Sequence, residues 1–125
     1  MATEHIRFSE LLTQHIENTV KRKFMHEMIT DTVMREIRTL IRITIDNIFE
    51  RSNHKLSPLG RAWLTDQFFK RIKVNNGQLM NDMVVIHEHK LSELVYDDVR
   101  LLSGLFDKTD LAHELHDEYR DRNAT

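Results

Sequence analysis

The feature that most constrains the fold is a run of apolar residues between positions 33 and 49. These residues recur at steps of three and four, so on an α-helix they cover roughly half of the circumference. A face this wide requires more than one packed neighbour. The residues are Val33, Met34, Ile37, Leu40, Ile41, Ile45, Ile48 and Phe49.

Signals at both ends of this run define a helix. Thr30 can cap its N-terminus and Asp31 suits the positive end of the helix dipole. Ile29 and Met34 are placed to close as a hydrophobic staple. We therefore predict a helix from Asp31 to about residue 51. β-Branched residues weaken helix propensity over residues 42–46, so a short strand there is the alternative.

The width of this apolar face also predicts self-association. Ile43 lies on the otherwise polar side, and large exposed apolar patches often mark interaction sites. We expect the chain to form a homodimer or larger oligomer, and to bind another protein, through this helix. The candidate partner-binding residues are Met34, Ile41, Ile43, Ile45 and Phe49.

The remaining apolar spacing predicts a mainly α fold of four to five helices in one domain, residues 1–125. A four-residue repeat that starts at Phe8 predicts a helix over 9–27 with Ser9 as its N-cap. Ser57 followed by a proline predicts the start of a third helix. Ser92 caps a further helix with a staple between Leu91 and Tyr96, and an acidic helix over 109–122 precedes a frayed end. The helix that Ser92 caps is expected to have Gly104 near its end. Its buried side is expected to comprise Leu94, Val95, Val99, Leu102, Leu105 and Phe106.

A small β-hairpin around residues 71–89 is the one credible strand region. The dipeptide Asn76-Gly77 readily takes the positive φ angles of a hairpin turn, and residues 71–74 would form the first strand. Residues 83–86 would supply its partner across a lengthened loop. A helix over residues 79–89 competes with this hairpin.

Four further residues, in the third helix and after it, are given structural roles. Gly60 lies in its first turn, where glycine costs about 1 kcal/mol relative to alanine, so we expect another backbone to approach closely. Trp63 shares a face with apolar neighbours and is expected in the core rather than as a base-stacking platform. Asp97 and Asp98 are adjacent and are expected on the surface of an early helical turn.

Composition excludes several function classes. The 125 residues include no cysteine, which rules out disulfides, thiolate nucleophiles and zinc or iron–sulfur sites held by thiolates. The three glycines are isolated from one another, so no phosphate-binding P-loop is present. No apolar run approaches the ~20 residues that span a bilayer, and the start lacks the order of a signal peptide. We expect a soluble cytoplasmic protein with no membrane partner and no cofactor.

Charge is segregated along the chain. Residues 21–73 hold twelve basic and six acidic side chains, whereas residues 74–125 hold five basic and eleven acidic ones. A basic middle suits an anionic partner, and pairing within the chain or between two copies is the alternative. The candidate nucleic-acid contacts are Lys21, Arg22, Lys23, Arg35, Arg38 and Arg42.

A metal site has weaker support. Asp110, His113 and Asp117 would converge on one helix face, and His87 and His89 would share a face of a strand. A solvated acidic face explains the same residues. No metal or catalytic site is therefore assigned.

These features predict a small non-enzymatic regulatory or assembly protein that acts through helix-mediated protein contacts. A nucleic-acid-binding protein that uses the arginines of the second helix is the alternative. A metal-dependent or carboxylate-based enzyme ranks third.

Overall fold

A computed structural model describes residues 8–52, 54–80 and 94–106. In chain order these contain helix α1 (Phe8–Phe24), helix α2 (Asp31–Arg51), helix α3 (Pro58–Phe69), strands β1 (Val74–Asn75) and β2 (Gln78–Leu79), and helix α4 (Tyr96–Phe106). The predicted mainly α fold with a small hairpin inside residues 71–89 is confirmed. None of the described helices is both long and apolar enough to cross a membrane.

Helix α1 is buried on almost all sides through its first half. Ser9 lies within the helix and is buried, so its prediction as the N-cap is wrong. The hydroxyl of Thr13 donates to the Ser9 carbonyl oxygen at 2.7 Å, which satisfies that hydroxyl without a partner from outside the helix. The helix ends at Phe24 rather than near 27, because the next turn tightens with the Glu27 amide donating to the Phe24 carbonyl.

Helix α2 matches its prediction at both ends. The Thr30 hydroxyl accepts a hydrogen bond from the Val33 amide at 3.2 Å, and the last residue is Arg51. The alternative of a strand over residues 42–46 is wrong. Ile41 and Ile45 are completely buried one turn apart, so packing at the helical period outweighs the local β propensity.

Helix α3 begins as predicted and runs antiparallel to α2. Ser57 caps it by accepting from the Gly60 amide at 3.1 Å, and Pro58 occupies the first turn. The direction follows from two ion pairs, because Arg38 near the start of α2 meets Asp66 near the end of α3, while Asp46 further along α2 meets Arg61.

The close approach expected at Gly60 comes from side chains and not from another backbone. A Cβ atom there would lie 2.6 Å from Cδ1 of Leu56 and 3.0 Å from Cγ of Asp98. The first distance is shorter than real Cβ contacts show, and the second is tighter than nine in ten of them, so the neighbouring side chains would have to shift. Gly60 thus makes room for a buried leucine and a carboxylate.

The β-hairpin is tighter than predicted. Val74 pairs with Leu79 and Asn75 with Gln78, so the loop contains only Asn76 and Gly77. Both have positive φ, 54° and 77°, as a type I′ turn requires. The strand predicted over residues 71–74 starts only at its last residue. Leu79 is a strand residue, which contradicts a helix from that point, and residues 83–86 lie outside the described part of the chain.

Helix α4 begins at Tyr96. Leu102 and Leu105 are buried as predicted, and Gly104 lies near the helix end. Val95 is half exposed, so its expected place on the buried side is wrong. Three predicted features fall outside the described residues. They are the cap Ser92, the staple residue Leu91 that would meet Tyr96, and the acidic helix over 109–122.

The four helices share one hydrophobic core. The rings of Phe8 and Phe49 meet edge to face, with 6.5 Å between centroids, and connect α1 to the end of α2. Trp63 is buried in this core, as predicted. The largest fully buried side chains are Phe8, Phe24, Phe68, Leu12, Ile16, Ile37, Ile41, Ile45, Leu56, Leu64, Leu102 and Leu105.

Two isoleucines of α2 test this packing. Ile41 is fully buried and Ile43 is 46% exposed. We expect Ile41→Ala to lower the free energy of unfolding by about 2–5 kcal/mol, because it removes buried methyl groups and leaves a cavity. Ile43→Ala, the matched control, should change it by less than about 0.5 kcal/mol. Urea denaturation of both variants measures the difference, and equal losses would contradict the described packing.

Candidate functional site

Most of the apolar face of α2 is covered by the chain itself. Among the five candidate partner-binding residues, Ile41, Ile45 and Phe49 are buried in the core. Met34 is half-buried and packs against the core. Of these five residues only Ile43 is exposed, at 46%. In this conformation α2 therefore offers a partner much less apolar surface than its sequence suggests.

The exposed large apolar side chains of the described residues fall in three places. Ile43 stands alone on the outer side of α2. Leu59, Val95 and Tyr96 lie near the first turns of α3 and α4, whereas Met28, Val74 and Met80 lie at the hairpin. We call the third of these groups, Met28, Val74 and Met80, together with its surroundings in residues 21–28 and 70–80, the hairpin end.

Backbone contacts hold the hairpin end together. The Ile29 amide donates to the Gly77 carbonyl oxygen at 2.8 Å, and the Met80 amide donates to the Lys73 carbonyl oxygen at 2.8 Å. Met28 covers the turn, since its sulfur would lie 2.4 Å from a Cβ at Gly77. The loop after α1 and the hairpin are therefore fixed to each other.

A shallow depression separates α1 from the hairpin. Its empty volume, open solvent included, is about 240 Å³, which is below the roughly 300–1,000 Å³ of typical small-molecule sites. This region suits contact with a surface better than enclosure of a small ligand. Its lining consists of Glu17, Val20, Lys21, Ile72, Lys73, Leu79 and Met80.

The hairpin end is strongly basic, with six basic residues against the single acid Glu27. Helices α1 and α3 both end here, and cations at helix C-termini interact favourably with the helix dipole. That effect explains why the sequence places positive charge at these two ends. The basic residues are Lys21, Arg22, Lys23, Lys70, Arg71 and Lys73.

Several of these cations have partners within the chain. Lys21 Nζ lies 2.5 Å from Glu17 Oε1, and Lys23 Nζ lies 5.5 Å from the centre of the Phe24 ring. The Arg71 guanidinium donates to the Gln67 carbonyl oxygen at 2.5 Å. Burial lowers the pKa of Arg71, but an arginine keeps its charge in proteins.

Lys70 and Lys73 differ from these residues. Both are exposed, and neither forms an ion pair with any residue in the described ranges. Lys73 directly precedes Val74, and its carbonyl oxygen accepts from the Met80 amide. Within the described ranges, no acidic side chain neutralises either lysine.

The arginines of α2 are divided between two roles. Arg35, Arg38 and Arg42 are all exposed. Arg38 Nη2 donates to Asp66 Oδ1 at 2.6 Å and so connects α2 with α3. The predicted nucleic-acid contacts therefore include one residue that already has a structural partner. Arg35 and Arg42 have no ion pair with a described residue.

A buried carboxylate joins α4 to α3, and sequence reasoning missed it. Asp98 is only 3% exposed, which corrects its prediction as a surface residue. Its Oδ1 accepts from the Ser57 amide at 3.1 Å, and its Oδ2 accepts from the Ser57 hydroxyl. No pattern in the sequence relates these two residues, because they lie 41 positions apart. Asp97, by contrast, is exposed as predicted.

The predicted metal ligands lie outside the described residues. The ranges 81–93 and 107–125 contain all five of them: His87, His89, Asp110, His113 and Asp117. Within the ranges that are described, no group of three or more His, Asp or Glu side chains is arranged to hold a metal ion.

Comparison with known proteins adds no family. No protein-family model, no curated protein and no solved structure matches the chain. Function must therefore be argued from the residues.

The contact between Ser57 and Asp98 is testable by a double-mutant cycle. Asp98→Ala should cost about 2–4 kcal/mol of unfolding free energy, because it leaves the Ser57 hydrogen-bond donors unpaired. Ser57→Ala should cost about 1–2 kcal/mol as a lost helix cap. The coupling between them should exceed about 1 kcal/mol. Asp97→Ala serves as the matched control with little effect, and additive single losses would refute the contact.

Proposed function

We propose that the chain is a small non-enzymatic regulatory or assembly protein that acts by binding itself and a further protein. The observation that carries this proposal is the exposure of Met28 and Met80, at 65% and 46%, beside Val74 at a basic end of the molecule. Methionine side chains are flexible and polarizable, and they adapt to irregular partner surfaces. An exposed apolar group rimmed by charge is typical of interaction sites.

The contact surface of this proposal differs from the one that the sequence indicates. Ile41, Ile45 and Phe49 pack inside the chain, so helix-mediated contact at α2 would depend on Ile43 and part of Met34. The hairpin end contains three exposed apolar residues, in the hairpin and in the loop that is hydrogen-bonded to it. It is therefore the better candidate for the primary contact.

Nucleic-acid binding is the second candidate. The exposed Arg35 and Arg42 support it, together with Lys23, Lys70 and Lys73. Base stacking has less support, because Trp63 is buried and the exposed Tyr96 begins α4 rather than the hairpin end. Such binding would be mainly electrostatic.

The third hypothesis, an enzyme, has weaker support among the described residues. Two of the polar pairs that they form, Ser57 with Asp98 and Arg38 with Asp66, join helices to one another. A pair that already stabilises the fold is a poor candidate for a reacting group. We do not propose an activity.

Self-association is testable by sedimentation velocity over a concentration series. We expect a concentration-dependent species larger than 14.9 kDa. Met28→Ser with Met80→Ser should raise the dissociation constant at least about tenfold, since removal of two apolar contacts costs about 1.4 kcal/mol or more. Leu59→Ser, an exposed apolar residue away from the hairpin end, is the control. A monomer at every concentration would remove self-assembly from the proposal.

Nucleic-acid binding is testable by a salt-titrated gel shift. If it occurs, affinity should fall steeply between low and physiological salt, and Arg35→Glu with Arg42→Glu should weaken it by tenfold or more. Arg38→Glu is a poorer probe, because it also breaks the ion pair with Asp66. The control is Lys55→Glu, at an exposed lysine between α2 and α3. Binding that is unaffected by either salt or the double variant would reject this candidate.

A further inference from the structure

The hairpin end has a single acidic residue, Glu27, whereas the chain carries an excess of acidic residues elsewhere. Residues 81–125 hold eleven acidic and five basic residues, and of the eleven only Asp98 is committed to the buried contact with Ser57 described above. We call residues 81–125 the acidic segment. The hairpin that precedes it, residues 74–80, has no charged residue.

The hairpin end presents both apolar and basic side chains to solvent. Met28, Val74 and Met80 are exposed, and so are Lys70 and Lys73. A partner that fits it must bring both negative charge and apolar side chains.

A second copy of the chain has both of these properties. Its acidic segment supplies the charge, and there the sequence places Leu111, Leu115 and Tyr119 at the four-residue spacing of an amphipathic helix. Opposite charge on two surfaces steers their association and sets its register. This inference rests on the proposed function, because it names the partner of the same contact surface.

We propose that the hairpin end of one copy binds the acidic segment of a second copy. The two surfaces differ, so a reciprocal arrangement makes two equivalent contacts about a two-fold axis and closes a dimer. The apolar contacts at Met28 and Met80 supply affinity. Lys70 and Lys73 supply the charge complementarity and make the assembly sensitive to salt.

Charge reversal tests the electrostatic part on the full chain. Lys70→Glu with Lys73→Glu should raise the dissociation constant of the dimer at least tenfold, as measured by sedimentation velocity in 0.05 M salt. Lys55→Glu is the matched control, since Lys55 is exposed and lies outside the hairpin end. The wild-type dimer should also weaken at least tenfold between 0.05 M and 0.5 M salt.

Site-specific cross-linking tests the identity of the partner surface. Because the chain has no cysteine, Met80→Cys provides a single attachment point for a photo-reactive cross-linker. In a mixture of isotopically heavy and light chains, we expect links from position 80 of one copy to residues 81–125 of the other. In the matched variant Leu59→Cys, cross-links from position 59 of one copy should not reach residues 81–125 of the other copy.

The outcomes separate this inference from the proposed function. A dimer that resists charge reversal and salt, or whose links map to α2 or to the hairpin end of the second copy, overturns the inference and leaves self-assembly in place. A monomer at low salt overturns the inference and self-assembly together. In that case, salt-sensitive binding of a single-stranded RNA 20-mer that Lys70→Glu with Lys73→Glu abolishes would assign the hairpin end to a polyanion.

Discussion

The structure depends on the row of isoleucines along α2. Ile37, Ile41, Ile45 and Ile48 bury their side chains in a core to which every described helix contributes. Burial of such side chains is worth roughly 1.5–3 kcal/mol each relative to exposure, which makes them the main stabilising groups of the helix. Their spacing explains why residues 42–46 remain helical although three of them are β-branched. The same burial removes most of α2 from contact with a partner.

Polar contacts then set how the other helices are placed around α2. The pair between Arg38 and Asp66 is exposed, so it adds little stability but is consistent with the antiparallel direction of α3. The contact between Asp98 and Ser57 is different, because its carboxylate is buried and needs both donors. It also brings the N-terminal turns of α3 and α4 together, where helix dipoles favour a negative charge. The Gly60 position provides the space for this arrangement.

The fold was predictable where the determining interactions are local. Thr30, Ser57 and the Asn76-Gly77 turn act within a few residues, and each has the predicted role. Predictions failed where a distant residue decides the outcome. Asp98 is buried because Ser57 meets it, and Gly60 is required by Leu56 and Asp98 rather than by a backbone. The pairing of the hairpin strands was also predicted wrongly. The Asn76-Gly77 dipeptide suits both a two-residue loop and a longer one, so it does not determine which residues pair.

The candidate site follows the same division. The sequence shows a wide apolar face over residues 33–49 and an excess of basic residues over 21–73. It cannot show which of these side chains remain exposed after folding. α2 is the most apolar segment and its face is largely enclosed, whereas the less conspicuous Met28, Val74 and Met80 stay in contact with water. Exposure of apolar groups close to Lys70 and Lys73 leaves apolar and basic side chains together at the hairpin end. A partner that brings both apolar and acidic groups can pair with both kinds of side chain, and this is why we propose an acidic, apolar segment rather than a bare polyanion.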